Sequence, residues 1–148
     1  MEFRKNQSAG FLVNHVARIF ARGLAARIKP LGLTTGVFPA LLELWEKDGL
    51  TQKQLVVRLD IEQATMANTL ARMERDGLIT RKPDENDRRS QRIWLTDRAR
   101  GMQGAAIAAA MDENAAALAG LSEAEQRQFV ALLQKVVETG GKKDGSES

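Results

Sequence analysis

Thr65, Asn68, Thr69 and Arg72 stand at i, i+3, i+4 and i+7. On a helix that spacing gathers four side chains on one face, within an arc of ~100°. None of the four is acidic. They are short hydrogen-bonding groups plus one long cation, a set able to meet base edges and phosphates in a DNA major groove. Asparagine suits adenine, arginine suits guanine, and a threonine methyl can touch thymine. Gln63, at the start of the same segment, joins the set. The competing explanation is a plain polar solvent face, although such faces usually mix in Glu and Lys. Met66, Leu70 and Met73 fall on another side, which is predicted to pack into the domain.

A second concentration of chemistry lies in "DENDRRSQRIWLT", residues 84–96. Three acids within four positions lead into Arg88 and Arg89, and an alternating run of strand type follows. Residues 72–100 hold nine Lys/Arg and six Asp/Glu, so the whole net charge of +3 falls in that stretch. Such a localised basic footprint suits a polyanion-binding surface. A salt-bridged, solvated face is the bland alternative. The position of the arginines at a predicted turn favours the first.

The elements that must hold these groups can be read from periodicity. Apolar Leu12, Val16, Ile19, Phe20 and Leu24 recur at three- and four-residue steps and predict a helix from Phe11 to about Lys29; "KPLGL" ends it. Thr34 or Thr35 can cap a second helix, with apolar face Phe38, Leu41, Leu42 and Trp45 and with Pro39 in its first turns, where a missing N–H costs least. Thr51 and Gln54 have capping-box spacing and open a short helix. A tight "DIEQ" connection leads to the helix of residues 63–75, which Gly77 closes. Two short helices joined so closely are a helix-turn-helix signature. Residues 78–82 and 91–96 are predicted strands, with Ile93 and Leu95 facing the domain and Trp94 on the other face as a packing residue. A long Ala-rich helix follows from Asp97 to about Ala119, and Ser122 with Glu125 caps a last one bearing Phe129, Leu132, Leu133, Val136 and Val137.

The bulk numbers exclude several classes. With 148 residues the chain is large enough for one domain with its own core. It contains no cysteine, which removes disulfides, thiol catalysis and thiolate metal sites. "MEFRKNQSAG" is polar and no apolar run follows it, so neither a signal peptide nor a membrane span is expected, and a cytoplasmic protein is. An enzyme is disfavoured by the absence of Cys and Tyr, a single His and the lack of a Gly-rich phosphate loop. No cofactor or metal is implied.

The stretch "DGLTQKQLVVRLDIEQATMANTLARMERDGLITRKPDENDRRSQRIWLT" strongly resembles the winged helix-turn-helix of the MarR family of bacterial transcription regulators. "LTQKQL", the Thr65 position, "RMERDGLI", the "DRR" of residues 87–89 and "LT" before a long helix carry the likeness, and "FPALLELWEKDGLTQ" matches the helix before it. The resemblance implies a mainly α fold with a small β-hairpin wing. It also implies dimerisation helices at 8–30 and 97–139 and a winged helix-turn-helix at 34–96, while "GGKKDGSES" itself is expected to be a disordered tail over 140–148. The expected activity is that of a homodimeric repressor on a pseudo-palindromic double-stranded operator. In that frame Arg89 enters the minor groove with Asp87 holding it in place, and Arg88 meets phosphate. Glu62 departs from the family at the cap before the recognition helix, where Ser or Asp is frequent, and Glu caps poorly.

Many such proteins release DNA when a small ligand, often an aromatic acid, binds between the DNA-binding and dimer regions. The candidates are His15, Arg18, Arg22 and Trp45. Arg18 and Arg22, one turn apart, could clamp a carboxylate or form salt bridges across a dimer. His15 is equally explained as a packed or hydrogen-bonded side chain. One His and no Cys argue against zinc and peroxide sensing. The rival from another class is a helical dimer module that binds protein and has lost DNA recognition; acids at Asn68, Arg72 or Arg89 would mark it, and none is present.

Overall fold

A computed structural model describes residues 2–141. Its elements are α1 (Ala9–Ile28), α2 (Phe38–Glu46), β1 (Leu50–Thr51), α3 (Gln52–Leu59), α4 (Gln63–Arg75), β2 (Ile79–Pro83), β3 (Gln91–Leu95), α5 (Asp97–Gly101), α6 (Gln103–Ala117) and α7 (Glu123–Gly140). The mainly helical architecture with a small antiparallel sheet agrees with the sequence reading. Of the tail expected at 140–148, Gly140 still ends α7 and residues 142–148 lie outside the described part.

Local signals set most boundaries. Ser8 caps α1 by accepting from the Phe11 N–H. Thr51 with Gln54 and Ser122 with Glu125 both form complete capping boxes, each satisfying two otherwise orphaned N–H groups. Gly77 ends α4 with φ +75°, and the Leu78 N–H reaches back to the Met73 carbonyl, the wrapped helix end that a left-handed residue allows. Asp60 takes the same left-handed geometry after α3 and turns the chain into α4 within three residues.

Four expectations need correction. Neither Thr34 nor Thr35 caps α2; Val37 occupies that position without a side-chain cap, and Pro at the helix start stands where an N–H would be unpaired anyway. Leu42 is exposed while Ala40 and Leu44 are buried, so the inner face of α2 is Phe38, Ala40, Leu41 and Leu44. The Ala-rich segment is not one helix, because it breaks at Met102 between α5 and α6. The sheet has a third strand, β1, in the order β1-β3-β2.

The core belongs to the winged region. Leu41 and Leu44 of α2, Leu55 of α3, Leu70 and Met73 of α4, and Ile93 of β3 are sealed from solvent. Ile79 pairs with Leu95, and Arg81 with Ile93, so the alternation of β3 turns Ile93 and Leu95 inward as predicted. Trp94, on the opposite face, covers Gly49. A Cβ there would lie 2.6 Å from the indole, and φ is +76°, so both space and backbone require glycine. By contrast α7 buries no residue at all, and α1 buries Ile28 alone. Among the described residues no helix is long and apolar enough to cross a membrane.

Candidate nucleic-acid interface

The recognition surface begins with the two faces of α4. Met66, Leu70 and Met73 are buried against the core and fix the roll of the helix. Thr65, Asn68 and Arg72 are consequently turned out to solvent, as expected. Thr69 is not. It lies on the shoulder of the buried face, 6% exposed, and its hydroxyl donates to the Thr65 carbonyl at 2.9 Å. That bond engages its donor within the helix, so Thr69 leaves the groove-facing set. Ala64, Ala71 and Arg75 share the outer face with Asn68 and are exposed. The two alanines keep the surface low enough for close approach to a groove floor. The sequence reading passed over all three, though helical periodicity from Asn68 would have found them.

Gln63 is exposed at the N-terminus of α4, and its side-chain oxygen accepts from Gln52 at 3.3 Å, tying together the starts of α3 and α4. Glu62 makes no side-chain cap there, as its poor capping geometry suggests.

β2 and β3 carry the hairpin whose tip spans residues 84–90. The Asp84 N–H donates to the Ser90 carbonyl and the Ser90 N–H to the Asp87 carbonyl, both at 2.9 Å, closing the loop twice. Asp87 accepts from the backbone N–H of Arg89 at 3.1 Å. It therefore positions Arg89 through the main chain and leaves the guanidinium unpaired among the described residues. Arg88 likewise holds no ion pair there. Two exposed cations without internal partners at a hairpin tip are free to meet an anionic surface.

Two of the tip acids, Asp84 and Asp87, have internal partners. Asp84 accepts from the Asn86 N–H at 3.3 Å and from Arg92 Nε at 3.2 Å, while Arg92 Nη1 donates to the Gly49 carbonyl at 2.8 Å. First the Asn86 backbone hydrogen bond and then Arg92 hold the Asp84 carboxyl below its ordinary value. The tip is thereby pinned through Arg92 to the turn before α3.

Between the wing and the start of α3 is a depression of about 330 Å³ lined by Gln52, Lys53, Arg81, Arg88, Arg89 and Ser90 among others. Four cations and no acid border it. Arg81 is braced by Glu74 of α4 at 3.4 Å. This is a basic hollow between the wing and the start of α3. Sequence reasoning missed Lys53 and Arg81. Lys53 is one residue past the Thr51–Gln52 junction, and only the return of β3 beside β1 brings the wing to it.

Of the effector candidates, His15, Arg18 and Arg22 are exposed on one face of α1. Trp45 belongs to the winged core; its Nε1 donates to the Ala99 carbonyl at 2.9 Å, and its ring meets Phe38 edge-on at 6.2 Å. Its indole N–H is committed to that bond.

A model of the MarR family matches residues 33–91. The chain is 34% identical over 107 residues to the transcriptional regulator HosA of Escherichia coli O157:H7, a match spanning 72% of this chain and 79% of that protein. It is 35% identical over 94 residues to the HTH-type transcriptional regulator TtmR of Methylorubrum extorquens, spanning 64% of this chain and 48% of TtmR. Among solved structures, a probable transcriptional regulator from Pseudomonas aeruginosa superposes with TM-score 0.84 at 31% identity, over 90% of this chain and 99% of that one. The Mycobacterium tuberculosis MarR family protein Rv2887, named a transcriptional repressor and solved in complex with salicylic acid, gives 0.69 at 29% identity over 87% and 96%. With a recognition helix, a wing and these relatives in agreement, the chain belongs to the MarR family of transcriptional regulators.

Proposed function

We propose that the protein is a homodimeric repressor that grips a pseudo-palindromic operator with one winged domain per half-site and lets go when a small ligand binds. The observation that carries this reading is the exposed set Thr65, Asn68 and Arg72 on α4 together with a hollow bordered by Lys53, Arg81, Arg88 and Arg89. Asn68 and Arg72 read base edges in the major groove, where side-chain amides and guanidinium groups discriminate bases. Lys53, Arg81 and Arg88 hold backbone phosphate and set the register. Arg89, presented by Asp87, enters the adjacent minor groove, whose negative potential favours a guanidinium.

Dimerisation is supported by apolar surface that one copy leaves open. On α1, Phe11, Leu12 and Val13 are 42–53% exposed; on α7, Leu132, Val136 and Val137 are 51–71% exposed. A groove of about 770 Å³ lined by Met111, Leu118, Phe129, Val130 and Leu133 runs between α6 and α7, with Phe20 of α1 at its side. Stripes of this size on the terminal helices are what a two-fold partner covers. A dimer then sets the two α4 helices about one turn of DNA apart.

Selection of bound fragments from genomic DNA, followed by footprinting, tests the reading. Protection of two related half-sites about one helical turn apart is expected. Protection of a single isolated half-site, or no enrichment over bulk DNA, would overturn it.

A further inference from the structure

Asp48 and Gly49 end the connection from α2 to β1, and four successive residues of β3 hold them. Arg92 Nη1 donates to the Gly49 carbonyl at 2.8 Å. The Ile93 carbonyl accepts from the Gly49 N–H at 3.0 Å. The Trp94 ring covers Gly49 where a side chain would stand. The Leu95 N–H donates to Asp48 Oδ1 at 2.9 Å. In this last contact a side chain stands in for backbone. The antiparallel register that pairs Leu50 with Ile93 would set residue 48 opposite Leu95, but β1 begins only at Leu50. The carboxylate supplies the acceptor that one more strand residue would have offered. Its other oxygen, Oδ2, accepts from Arg100 Nη2 of α5 at 3.1 Å, and Arg100 Nη1 donates to Asp97 at 2.9 Å. The Asp48 side chain is mostly covered, 24% exposed.

We infer that Asp48 is a positioning residue that sets the angle of the wing against α4, and so governs how far Arg89 reaches into the minor groove. The inference rests on the DNA-binding reading above and adds to it a residue that need touch no DNA. The bonded path runs unbroken from α5 to the tip. Arg100 holds Asp48, and Asp48 holds the end of β3. Gly49 holds Arg92, Arg92 holds Asp84, and Asp84 with Asp87 shapes the loop that presents Arg89. A hairpin joined to its domain only at the base pivots there, and the two residues of β1 offer β3 little restraint on that side. Asp48 adds a charge-assisted clasp at the pivot. Its charge runs against its role, because an acid on a DNA-binding domain repels a polyanion. Its removal should tighten binding if charge alone matters and weaken it if position does, so the sign of the change discriminates.

The test is a double-mutant cycle read by fluorescence anisotropy at physiological salt, on a selected operator carrying A·T or G·C pairs at its wing-facing flanks. Asp48→Ala should weaken binding at least about fivefold, and Arg89→Ala at least about tenfold. The double variant should bind within about twofold of Arg89→Ala, because a misplaced wing has nothing further to lose once Arg89 is gone. Both single variants should lose the wild-type preference for A·T flanks. Asp48→Asn, which keeps an oxygen for the Leu95 N–H, should recover most of the affinity and of the preference. Circular dichroism checks the fold. If Asp48→Ala does not fold, Arg100→Ala, which removes only the clasp on α5, takes its place in the cycle, with a loss of at least about twofold expected. Unchanged or tighter binding by the folded variant, a loss that multiplies with that of Arg89→Ala, or an intact preference for A·T flanks would each overturn the inference. Where Arg89→Ala weakens binding and any of these holds, the inference alone fails. Where Arg89→Ala binds as the wild type does, the wing reading itself fails and takes the inference with it.

Discussion

Lys53→Ala isolates the phosphate hollow from base reading. Lys53 is exposed at the first turn of α3 and holds no ion pair among the described residues, so its removal leaves the fold intact. Counting one phosphate each for Lys53, Arg81 and Arg88 gives about three contacts per protomer and about six per dimer. At about 0.9 per phosphate neutralised, log K should fall against log salt with a slope of about −5.4. Each dimer loses two contacts in the variant, and the slope should flatten by about 1.8. Between 50 and 200 mM salt the wild type then loses about 10³ in affinity and the variant about 10². Fluorescence anisotropy of a labelled operator at five or six salt concentrations measures both slopes. The variant's loss should be similar on operator and scrambled duplex, because phosphate carries no sequence information. Lys135→Ala on α7 serves as the control. A slope unchanged by Lys53→Ala, or a loss confined to the operator, would refute the placement of Lys53 on the DNA backbone.

Asp84 gives a pH signature: its carboxyl is held below the ordinary 3.8, so its stabilisation of the tip is present above that value and is lost as pH falls through the lowered one. Amide exchange at Asn86, whose N–H donates to Asp84, should stay slow down to about pH 4, whereas Asp84→Asn should speed it at neutral pH without lowering the global melting temperature. Gly49→Ala sets a Cβ 2.6 Å from the Trp94 ring at a left-handed φ, and should cost at least about 1–2 kcal/mol in chemical denaturation; a neutral result would contradict the described packing. Leu132→Glu with Val136→Glu should convert a dimer to a monomer in light scattering, and should weaken full-operator binding far more than half-site binding.

What was legible in the sequence was mostly what is local. Thr51–Gln54 and Ser122–Glu125 announce their helices because both partners of each box lie within one turn. Gly77 does so because a left-handed helix end favours glycine. The inward Ile93 and Leu95 follow from a period of two. The failures are non-local or lie on boundaries. β1 is two residues long and exists only through its pairing of Leu50 with Ile93, which no window around residue 50 reveals. Thr69 fell on the shoulder of a helical wheel, where one face grades into the other and a hydroxyl fits both. The basic hollow joins Lys53 of α3 to Arg81 and Arg88 of the hairpin, so only the folded sheet assembles it. The partner of the Trp45 indole N–H is the carbonyl of Ala99, far along the chain, which no window around residue 45 reveals.

The central claim is that α4 and the wing read sequence rather than only charge. Its most direct measurement is the ratio of Kd for a scrambled duplex to Kd for the selected operator at physiological salt, in wild type and in Asn68→Ala. The account predicts a wild-type ratio of about 10³ or more, reduced by about 1–3 kcal/mol per half-site in the variant. A wild-type ratio near one, or a ratio that Asn68→Ala leaves untouched, would contradict it.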